Sequence, residues 1–338
     1  MSEATDGPCA ERPLVTFYVA TYNQEVYVRA AVESAFAQTY RPLEILLSDD
    51  ASGDDTFRIM EEMAAAYAGP HRVRLNRNPR NLGIPGHLDR IMELSEGAFV
   101  VQNAGDDISA PQRTERLVAA WLASGRRAKA VHSAKLRIDA TGRVQGRLPE
   151  REPLHRHTPL ALLRRPPDVY GAAMGFDREV FEVFGPLGPK PLLEDYPICL
   201  RAATLGEVIY LHEPLLRYRI GGLSWREAEP LGFYALYGHR LKRLRWHLSF
   251  SRLYLDDMAK AAPPEVAACR AQCEKNIRDF GFELALAEMG RGARVRALPG
   301  ALWKSLRYRD PSLLRKNLKY LFAELYMARL DRRSDVRA

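Results

Sequence analysis

The chain has 338 residues, and its 46% hydrophobic and 9% aromatic content is ordinary for a globular protein of one large domain or two, which excludes disorder over most of its length. No apolar run approaches the ~18 to 20 residues that span a bilayer, and the first residues lack a signal peptide, so we expect a cytoplasmic protein with a disordered N-terminus over residues 1–12. The net charge is +8, and it is concentrated in residues 291–338, which hold 13 Lys/Arg against 4 Asp/Glu. The rest of the chain is therefore close to neutral.

The predicted elements begin at Leu14, where short apolar runs alternate with amphipathic stretches at a period of about 30 residues, the pattern of βα units on a parallel sheet. LVTFYVA predicts the first strand, and Val28 and Val32 mark the face of the helix after it. EILLS predicts the second strand, which delivers Asp49 and Asp50 at its end.

A short strand is predicted over residues 72–75, followed by a loop rich in Asn, Gly and Pro and by a helix near residues 88–95. The strand AFVVQ then delivers Asp106 and Asp107, and Pro111 opens the next helix.

Beyond residue 125 the pattern is less regular. KAVHSAKLRID predicts a strand, residues 140–153 a loop, and Asp177 the N-cap of a helix that Gly185 ends. Another helix starts at Glu194 and Asp195, the runs EVIYL and PLLRYRI follow it, and the chain is helical from about residue 230.

The two acidic pairs, Asp49–Asp50 and Asp106–Asp107, make this chain a candidate enzyme. Carboxylates released at the carboxyl ends of parallel strands point into the crevice where open α/β sheets bind ligands, and divalent cations prefer such oxygen ligands. Each pair has a structural alternative, because Asp after a strand also forms turns and caps helices.

Three quoted segments carry a resemblance to a known family. VTFYVATYNQEVYVRAAVESAFAQTYRPLEILLSDDASGDDT, NRNPRNLGIPGHLDRIMELSEGAFVVQNAGDD and LLEDYPICLRAATLGEVIYLHEPLLRYRIGGLS follow one another in the order of the motifs of family 2 glycosyltransferases. The sequence is similar to these inverting enzymes from about Leu14 to Ser224. They transfer a sugar from a nucleotide diphosphate donor.

The resemblance implies a GT-A fold, an α/β architecture with a mixed sheet flanked by helices. It implies a glycosyltransferase domain over residues 13–228, divided into a nucleotide-binding half (13–110) and an acceptor half (111–228), with a helical basic C-terminal region over 229–338. The implied reaction moves a single sugar to a hydroxyl of a sugar or lipid-linked acceptor, in cell-surface polysaccharide or glycolipid biosynthesis.

The resemblance also assigns roles to residues. Asp195 would be the catalytic base with Glu194 beside it, and Asp106 and Asp107 would hold a divalent cation, Mn²⁺ or Mg²⁺, on the diphosphate. The residues that would bind the nucleotide sugar are Thr21, Asn23, Asp49, Asp50, Asn81, Asp106 and Arg219. Arg219 suits a bidentate phosphate contact, with a structural salt bridge as the alternative.

Two departures from the family pattern bear on the metal. Ala104 stands where an Asp-x-Asp motif has its first carboxylate, and Ile220 with two glycines stands where many members have a histidine. Two other functions stay open: a sugar nucleotidylyltransferase, although ATYNQE replaces its Gly-rich phosphate loop, and a non-catalytic protein with the same fold.

The basic tail intersperses Lys and Arg with Leu and Phe at helical spacing over residues 311–330. This pattern predicts an amphipathic helix on the anionic inner face of a membrane, or a helix packed on the protein with a solvated basic face, rather than a nucleic-acid site.

Overall fold

A computed structural model provides the structure of the chain. It describes residues 12–147, 158–164, 171–189, 193–220, 233–288 and 291–308, together with residues 311, 314, 315, 318 and 322. The predictions for the N-terminus, for most of the 311–330 segment and for the glycines after Ile220 therefore lie outside the described residues.

The first half of the chain forms the predicted alternation of strands and helices. Its elements are β1 (Val15–Thr21), α1 (Val28–Phe36), β2 (Leu43–Asp49), α2 (Thr56–Ala66), β3 (Arg72–Arg77), α3 (Gly83–Leu94), β4 (Phe99–Ala104), β5 (Ile108–Ser109) and α4 (Arg113–Ala123). The sequence analysis did not anticipate the two-residue strand β5. It pairs with a strand more than 100 residues later in the chain.

The second half continues with β6 (Ala128–Ile138), β7 (Val144–Arg147), α5 (Pro159–Arg164), β8 (Met174–Asp177), α6 (Glu179–Phe184), α7 (Asp195–Leu205) and β9 (Glu207–Arg219). The predicted loop over residues 140–153 is wrong at its start, because β7 folds back on β6 as a hairpin. Asp139 stabilises the turn by accepting hydrogen bonds from the Thr141 and Arg143 amides, each at 3.0 Å.

The described strands form one mixed sheet in the order β3-β2-β1-β4-β8-β6-β9-β5, with β7 paired to β6. Strands β3, β2, β1 and β4 are parallel, whereas β8 is antiparallel to both of its neighbours. The sheet is therefore mixed, as the resemblance implied. Thr21 lies opposite Asp49 and Ala20 opposite Ala104, so β1, β2 and β4 end at the same edge.

One face of the parallel strands packs against α1, α2 and α4 in the main hydrophobic core. Phe17, Ile45, Phe99 and Trp121 are fully or almost fully buried there, and each such side chain contributes about 1.5–3 kcal/mol. The Trp121 indole donates a hydrogen bond of 3.0 Å to Asp177, which also accepts one from the Glu179 amide at the start of α6. The N-cap of α6 is Arg178 rather than the predicted Asp177, which is the last residue of β8. Tyr18 on β1 and Gln102 on β4 lie near Glu194 and Asp195 at the start of α7.

Three further helices are described, α8 (Phe233–Asp257), α9 (Val266–Glu288) and α10 (Arg291–Arg307). The chain divides into two compact units: residues 1–227 with 253–269 form an α/β unit, and residues 228–252 with 270–338 form a helical unit. None of the described helices combines the length and apolar character needed to cross a membrane.

Residues 253–269 join the α/β unit through a buried ion pair. The Arg201 guanidinium on α7 donates to both carboxylate oxygens of Asp257, at 2.8 and 3.0 Å, and also to the Gly185 carbonyl at 2.8 Å. Both charged side chains are almost completely buried. The ion pair anchors α7, the helix that begins with Asp195.

In the helical unit, α10 packs on α9 through a small cluster around Leu286, with Phe282 and Ala297. The opposite face of α10 exposes Val295, Leu302, Trp303 and Leu306.

Candidate active site

The turn after β1 is joined to the turn after β2. Asn23 adopts a left-handed conformation with φ of 52°, which Asn tolerates better than most residues. Its side-chain oxygen accepts a hydrogen bond from the Gly53 amide and its own amide donates to the Ser52 hydroxyl, both at 2.8 Å. Thr21 is buried, and its hydroxyl donates to the Ser48 carbonyl at 3.2 Å. Both residues lie at the predicted sheet edge, and their contact with a nucleotide stays a prediction.

The first acidic pair organises loops. Asp49 accepts hydrogen bonds from the amide and the hydroxyl of Ser52, the amide at 2.9 Å. Asp50 accepts from Asn78 at 2.8 Å and from the amides of Leu82 and Gly83 at 2.9 and 3.0 Å. Both carboxylates are buried, and every oxygen has a protein donor. These hydrogen bonds show a structural role for the pair, and its contact with a base or ribose stays a prediction.

Asn81 lies at the start of α3, at the same edge. Its side chain is exposed and its oxygen accepts a 2.9 Å hydrogen bond from the Gly83 amide. Gly83 has φ of 71°, a conformation that glycine adopts without strain. The Asn81–Gly83 turn thus presents an exposed amide group beside the Asp50 loop.

The second acidic pair is different. One oxygen of Asp107 accepts a 2.9 Å hydrogen bond from the Arg219 amide, whereas its Oδ2 is buried and has no partner among the described residues. Burial raises the pKa of Asp107 well above its ordinary value, and the neighbouring Asp106 carboxylate raises it further. Burial also raises the pKa of Asp106, against hydrogen bonds from its own amide and from the Gln24 side chain and the attraction of Arg219. The pair is therefore a buried carboxyl site in which one oxygen has no donor among the described residues, although Arg113 and Arg219 attract its charge.

Arg219 does not extend freely into this site. Its guanidinium donates hydrogen bonds to the carbonyls of Asp106, Asp139 and Ala140 at 2.7–2.9 Å and stacks on the Tyr27 ring at 4.4 Å. It therefore ties β9 to the acidic motif. Among the described residues its hydrogen bonds are to backbone carbonyls, and its contact with a phosphate stays a prediction.

Glu194 and Asp195 begin α7 and form a hydrogen-bonded carboxyl pair. As residues they are partly exposed, yet the Oε2 of Glu194 is buried and has no partner among the described residues. Burial raises the pKa of Glu194 well above its ordinary value, and the Asp195 charge adds to the rise. Burial also raises the pKa of Asp195, although hydrogen bonds from Glu194 and from the Gly171 amide counteract it. Burial therefore raises both pKa values, and the rise is stronger for Glu194.

Three residues that the sequence analysis missed surround this pair. Gly171 lies so close that an added Cβ would come within 2.6 Å of Asp195 Oδ1, 2.8 Å of Glu194 Oε1 and 3.1 Å of Gln102 Oε1. Tyr18 lies beside Gln102 in the β1–β4 register. Burial raises the pKa of the Tyr18 hydroxyl, and the charges of Glu194 and Asp195 raise it further. The signal available in the sequence was a lone Gln in the apolar run FVVQ.

Arg113, also missed, lies between the Asp107 side and the Gly171 side of the site. It is fully buried on α4 and donates to Ser109 at 2.8 Å and to the Ala172 carbonyl, next to Gly171, at 2.5 Å. Burial lowers the pKa of its guanidinium, while attraction to Asp107 raises it. One buried cation thus adjoins both the Asp107 side and the Gly171 side of the site.

The acidic pair after β4 fits a divalent cation that takes only a few of its ligands from the protein. Among the described residues, no three His, Cys, Asp or Glu side chains are grouped as a metal site. Asp106 and Asp107 nevertheless supply two carboxylates, and the unpartnered Oδ2 of Asp107 gives one of them a free ligand atom. Mg²⁺ is often bound by one or two carboxylates together with phosphates and waters, so this set is sufficient.

Comparison with known proteins gives a consistent result. The sequence matches the family described as Glycosyl transferase family 2 over residues 16–185. It is 32% identical to EpsE of Bacillus subtilis, named a glycosyltransferase, over 151 residues, which are 44% of this chain and 53% of that protein. The chain therefore spans about half the length of this relative.

Two solved structures share the fold. S. aureus TarS 1–349 in complex with UDP-GlcNAc superposes with a TM-score of 0.56 at 15% identity, over 90% of this chain and 91% of that one. Mannosyltransferase PcManGT from Pyrobaculum calidifontis, in complex with GDP-Man and Mn²⁺, gives 0.54 at 18% identity, over 93% and 86%. At such identities the likeness establishes the GT-A fold alone.

Proposed function

The chain belongs to glycosyl transferase family 2, and from this membership we propose that it transfers a single sugar from a nucleotide-diphosphate sugar to a hydroxyl acceptor, with inversion at the anomeric carbon. The observation that carries the proposal is the presence of two buried carboxyl pairs on the two sides of Arg113. In Asp106–Asp107 one carboxylate oxygen has no donor among the described residues, and burial raises the pKa values of Glu194 and Asp195. The Asp106–Asp107 site suits a charged leaving group, and the Glu194–Asp195 site suits the alcohol of the acceptor.

Asp195 is the proposed base. It takes the proton of the acceptor hydroxyl as the new C–O bond forms, while the bond from the anomeric carbon to the diphosphate oxygen breaks and its electron pair leaves with the diphosphate. The Gly171 amide fixes the Asp195 carboxyl group by a hydrogen bond, and the Glu194 carboxyl group forms a second hydrogen bond with it. A positioned base typically contributes ~10²–10⁴ in rate.

Asp106 and Asp107 would hold Mn²⁺ or Mg²⁺. The bound cation would neutralise charge on the departing diphosphate. The Arg219 backbone amide keeps Asp107 in place, and the Gln24 side chain does so for Asp106. Thr21, Asn23, Asp49, Asp50 and Asn81 would complete the nucleotide side, because all lie at the ends of β1 and β2 or at the start of α3.

The test is donor turnover. Purified protein is incubated with UDP-GlcNAc or GDP-mannose, with Mn²⁺ or with EDTA, and release of UDP or GDP is measured. We expect metal-dependent release, and we expect Asp195→Asn to reduce kcat at least about tenfold with donor affinity unchanged. Release of pyrophosphate instead would indicate a nucleotidylyltransferase. Binding without turnover on either donor would indicate a non-catalytic protein.

We also propose that the helical unit contacts an anionic membrane, which would bring the site to a lipid-linked acceptor in cell-surface polysaccharide or glycolipid biosynthesis. On α10 the exposed Val295, Leu302, Trp303 and Leu306 share one helical face, and exposed Arg296 and Arg307 border it. Apolar side chains with an interfacial Trp and flanking Arg are typical of helices that lie on anionic lipid.

Sedimentation with vesicles tests this contact. Full-length protein should sediment with phosphatidylserine-containing vesicles at low salt and remain in solution with neutral ones, because attraction between basic residues and the surface is screened by salt. Trp303→Ser combined with Leu306→Ser should abolish sedimentation, and ending the chain at Tyr308 should reduce it. Equal sedimentation of all variants would contradict the proposal.

A further inference from the structure

Gln102 on β4 is the best-buried polar side chain in the α/β unit for which the structure offers no bond. It is 2% exposed, and neither its amide nitrogen nor its amide oxygen has a partner among the described residues. Buried amide groups almost always form hydrogen bonds, because an unpaired one loses its water without compensation. A buried amide left unpaired by the protein therefore needs a partner from outside it.

The amide points at the proposed base. Its oxygen, Asp195 Oδ1 and Glu194 Oε1 all surround the position that a Cβ on Gly171 would occupy. Any side chain at this position would collide with these oxygens, and glycine allows the three acceptors to lie close together. The amide nitrogen of Gln102 adds an unpaired donor beside them.

Two sets of nearby protein donors are already used, whereas Arg113 Nε is buried and has no partner among the described residues. The Gly171 amide is bonded to Asp195, and the Arg113 terminal nitrogens are bonded to Asn103, Ser109 and the carbonyls of Ala172 and Met174. A hydroxyl group is the matching ligand, since it can donate to a carboxylate or amide oxygen and accept from an amide N–H at once.

The position of Gln102 on β4 selects which hydroxyl. The same strand leads to Asp106 and Asp107, the proposed diphosphate side, while the Gln102 side chain reaches Glu194 and Asp195, the proposed acceptor side. In an inverting transfer the base and the leaving group lie on opposite sides of the anomeric carbon, so the group between the two carboxyl pairs is the sugar being transferred.

We infer that Gln102 hydrogen-bonds a ring hydroxyl of the transferred sugar beside Asp195 and is a specificity-determining residue of the donor site. The inference rests on the proposed function. It predicts that Gln102 distinguishes intact sugar nucleotide from free nucleotide, and one sugar epimer from another.

The experiment compares wild type with Gln102→Leu, Gln102→Asn and a control, Ser251→Ala, which removes a buried hydroxyl that likewise lacks a partner but lies on α8 in the helical unit. Affinities for UDP and UDP-GlcNAc, and for GDP and GDP-mannose, are measured by calorimetry. Hydrolysis of UDP-GlcNAc and UDP-GalNAc is measured for each protein, together with the Tm of the nucleotide-free form.

Gln102→Leu should lower kcat/KM with the preferred donor by ~10- to 100-fold, leave UDP and GDP affinity unchanged, and reduce the preference between epimers. Its Tm should stay the same or rise, because an apolar side chain replaces an unpaired amide. Gln102→Asn should restore part of the epimer preference. Ser251→Ala should match wild type in turnover and affinity.

A lower Tm for Gln102→Leu, with turnover within twofold of wild type, would overturn the inference and assign Gln102 to an internal water or core contact. Unchanged donor affinity and unchanged hydrolysis would overturn it as well. If wild type neither binds nor hydrolyses any of the donors, the proposed function fails, and the Tm comparison still decides whether the Gln102 amide is paired within the protein.

Discussion

The two acidic pairs at the sheet edge differ in what satisfies them. Asp49 and Asp50 follow β2, and each of their oxygens accepts a hydrogen bond from the loops after β2 and β3. Asp106 and Asp107 follow β4, and there an oxygen remains unpartnered and burial raises both pKa values. Equivalent positions at strand ends thus serve two purposes: one pair shapes the site and the other is available to a ligand.

The largest effect is expected at the second pair. Asp107→Asn should weaken binding of UDP or GDP in the presence of Mn²⁺ by tenfold or more, because the ligand charge facing the cation is lost. The metal-free variant should unfold at the same temperature as wild type or higher, since a buried charge is removed. Calorimetry with and without EDTA measures the first effect. If EDTA left the nucleotide affinity of wild type unchanged, this result would contradict the metal assignment.

An intermediate effect is expected at the first pair. Asp50→Ala leaves the Asn78 amide and the backbone amides of Leu82 and Gly83 without their acceptor, and should lower the free energy of unfolding by about 3 kcal/mol. Urea denaturation measures it. Asp55→Ala is the control, because the Asp55 side chain forms an exposed ion pair with Arg58, and its loss should leave the curve close to wild type. If Asp50→Ala and Asp55→Ala gave the same urea denaturation curve, the structural role that separates Asp49–Asp50 from Asp106–Asp107 would be contradicted.

The smallest effect concerns pH and the Glu194–Asp195 pair. Because burial and Asp195 raise the pKa of Glu194, the folded protein keeps a proton that the unfolded chain, with a Glu pKa of about 4.3, has lost. This site therefore destabilises the fold progressively as pH rises above ~4.3, until the raised pKa is passed. Glu194→Gln removes this pH-dependent loss of stability. The free energy of unfolding of the variant, relative to wild type, should therefore increase as the pH rises through this range. Parallel stability curves from pH 4 to 8 would contradict the raised pKa of Glu194.

Local sequence signals predicted the first half of the fold. The alternation of apolar runs and helical faces located β1 to β4 and α1 to α4, and the signal was clearest at β1, β2 and β4, which are almost entirely buried. The hairpin of β7 was missed because its strand is short and polar, and its stability comes from the Asp139 turn.

The site was only partly predictable for a related reason. Asp106, Asp107, Glu194 and Asp195 lie at ends of predicted elements, so their position could be anticipated. The distinction between the two acidic pairs depends on partners such as Asn78 and Gly83, and the proximity of Gln102 to Gly171 depends on β4 meeting residues about 70 positions later. Such contacts arise only when the sheet is assembled, and no local periodicity encodes them.

The ion pair between Arg201 and Asp257 constrains how this gene could be shortened. The chain passes between the two units three times, and residues 253–269 return to the α/β unit after the first helical excursion. A protein ended at residue 227 would lose Asp257 and leave the Arg201 charge buried alone, which costs about 3–5 kcal/mol, a large share of the ~5–15 kcal/mol that keeps a typical domain folded. The α/β unit therefore depends on residues 253–269, which lie between two segments of the helical unit. A different helical unit could replace the present one only if both flanking segments were replaced and residues 253–269 were kept.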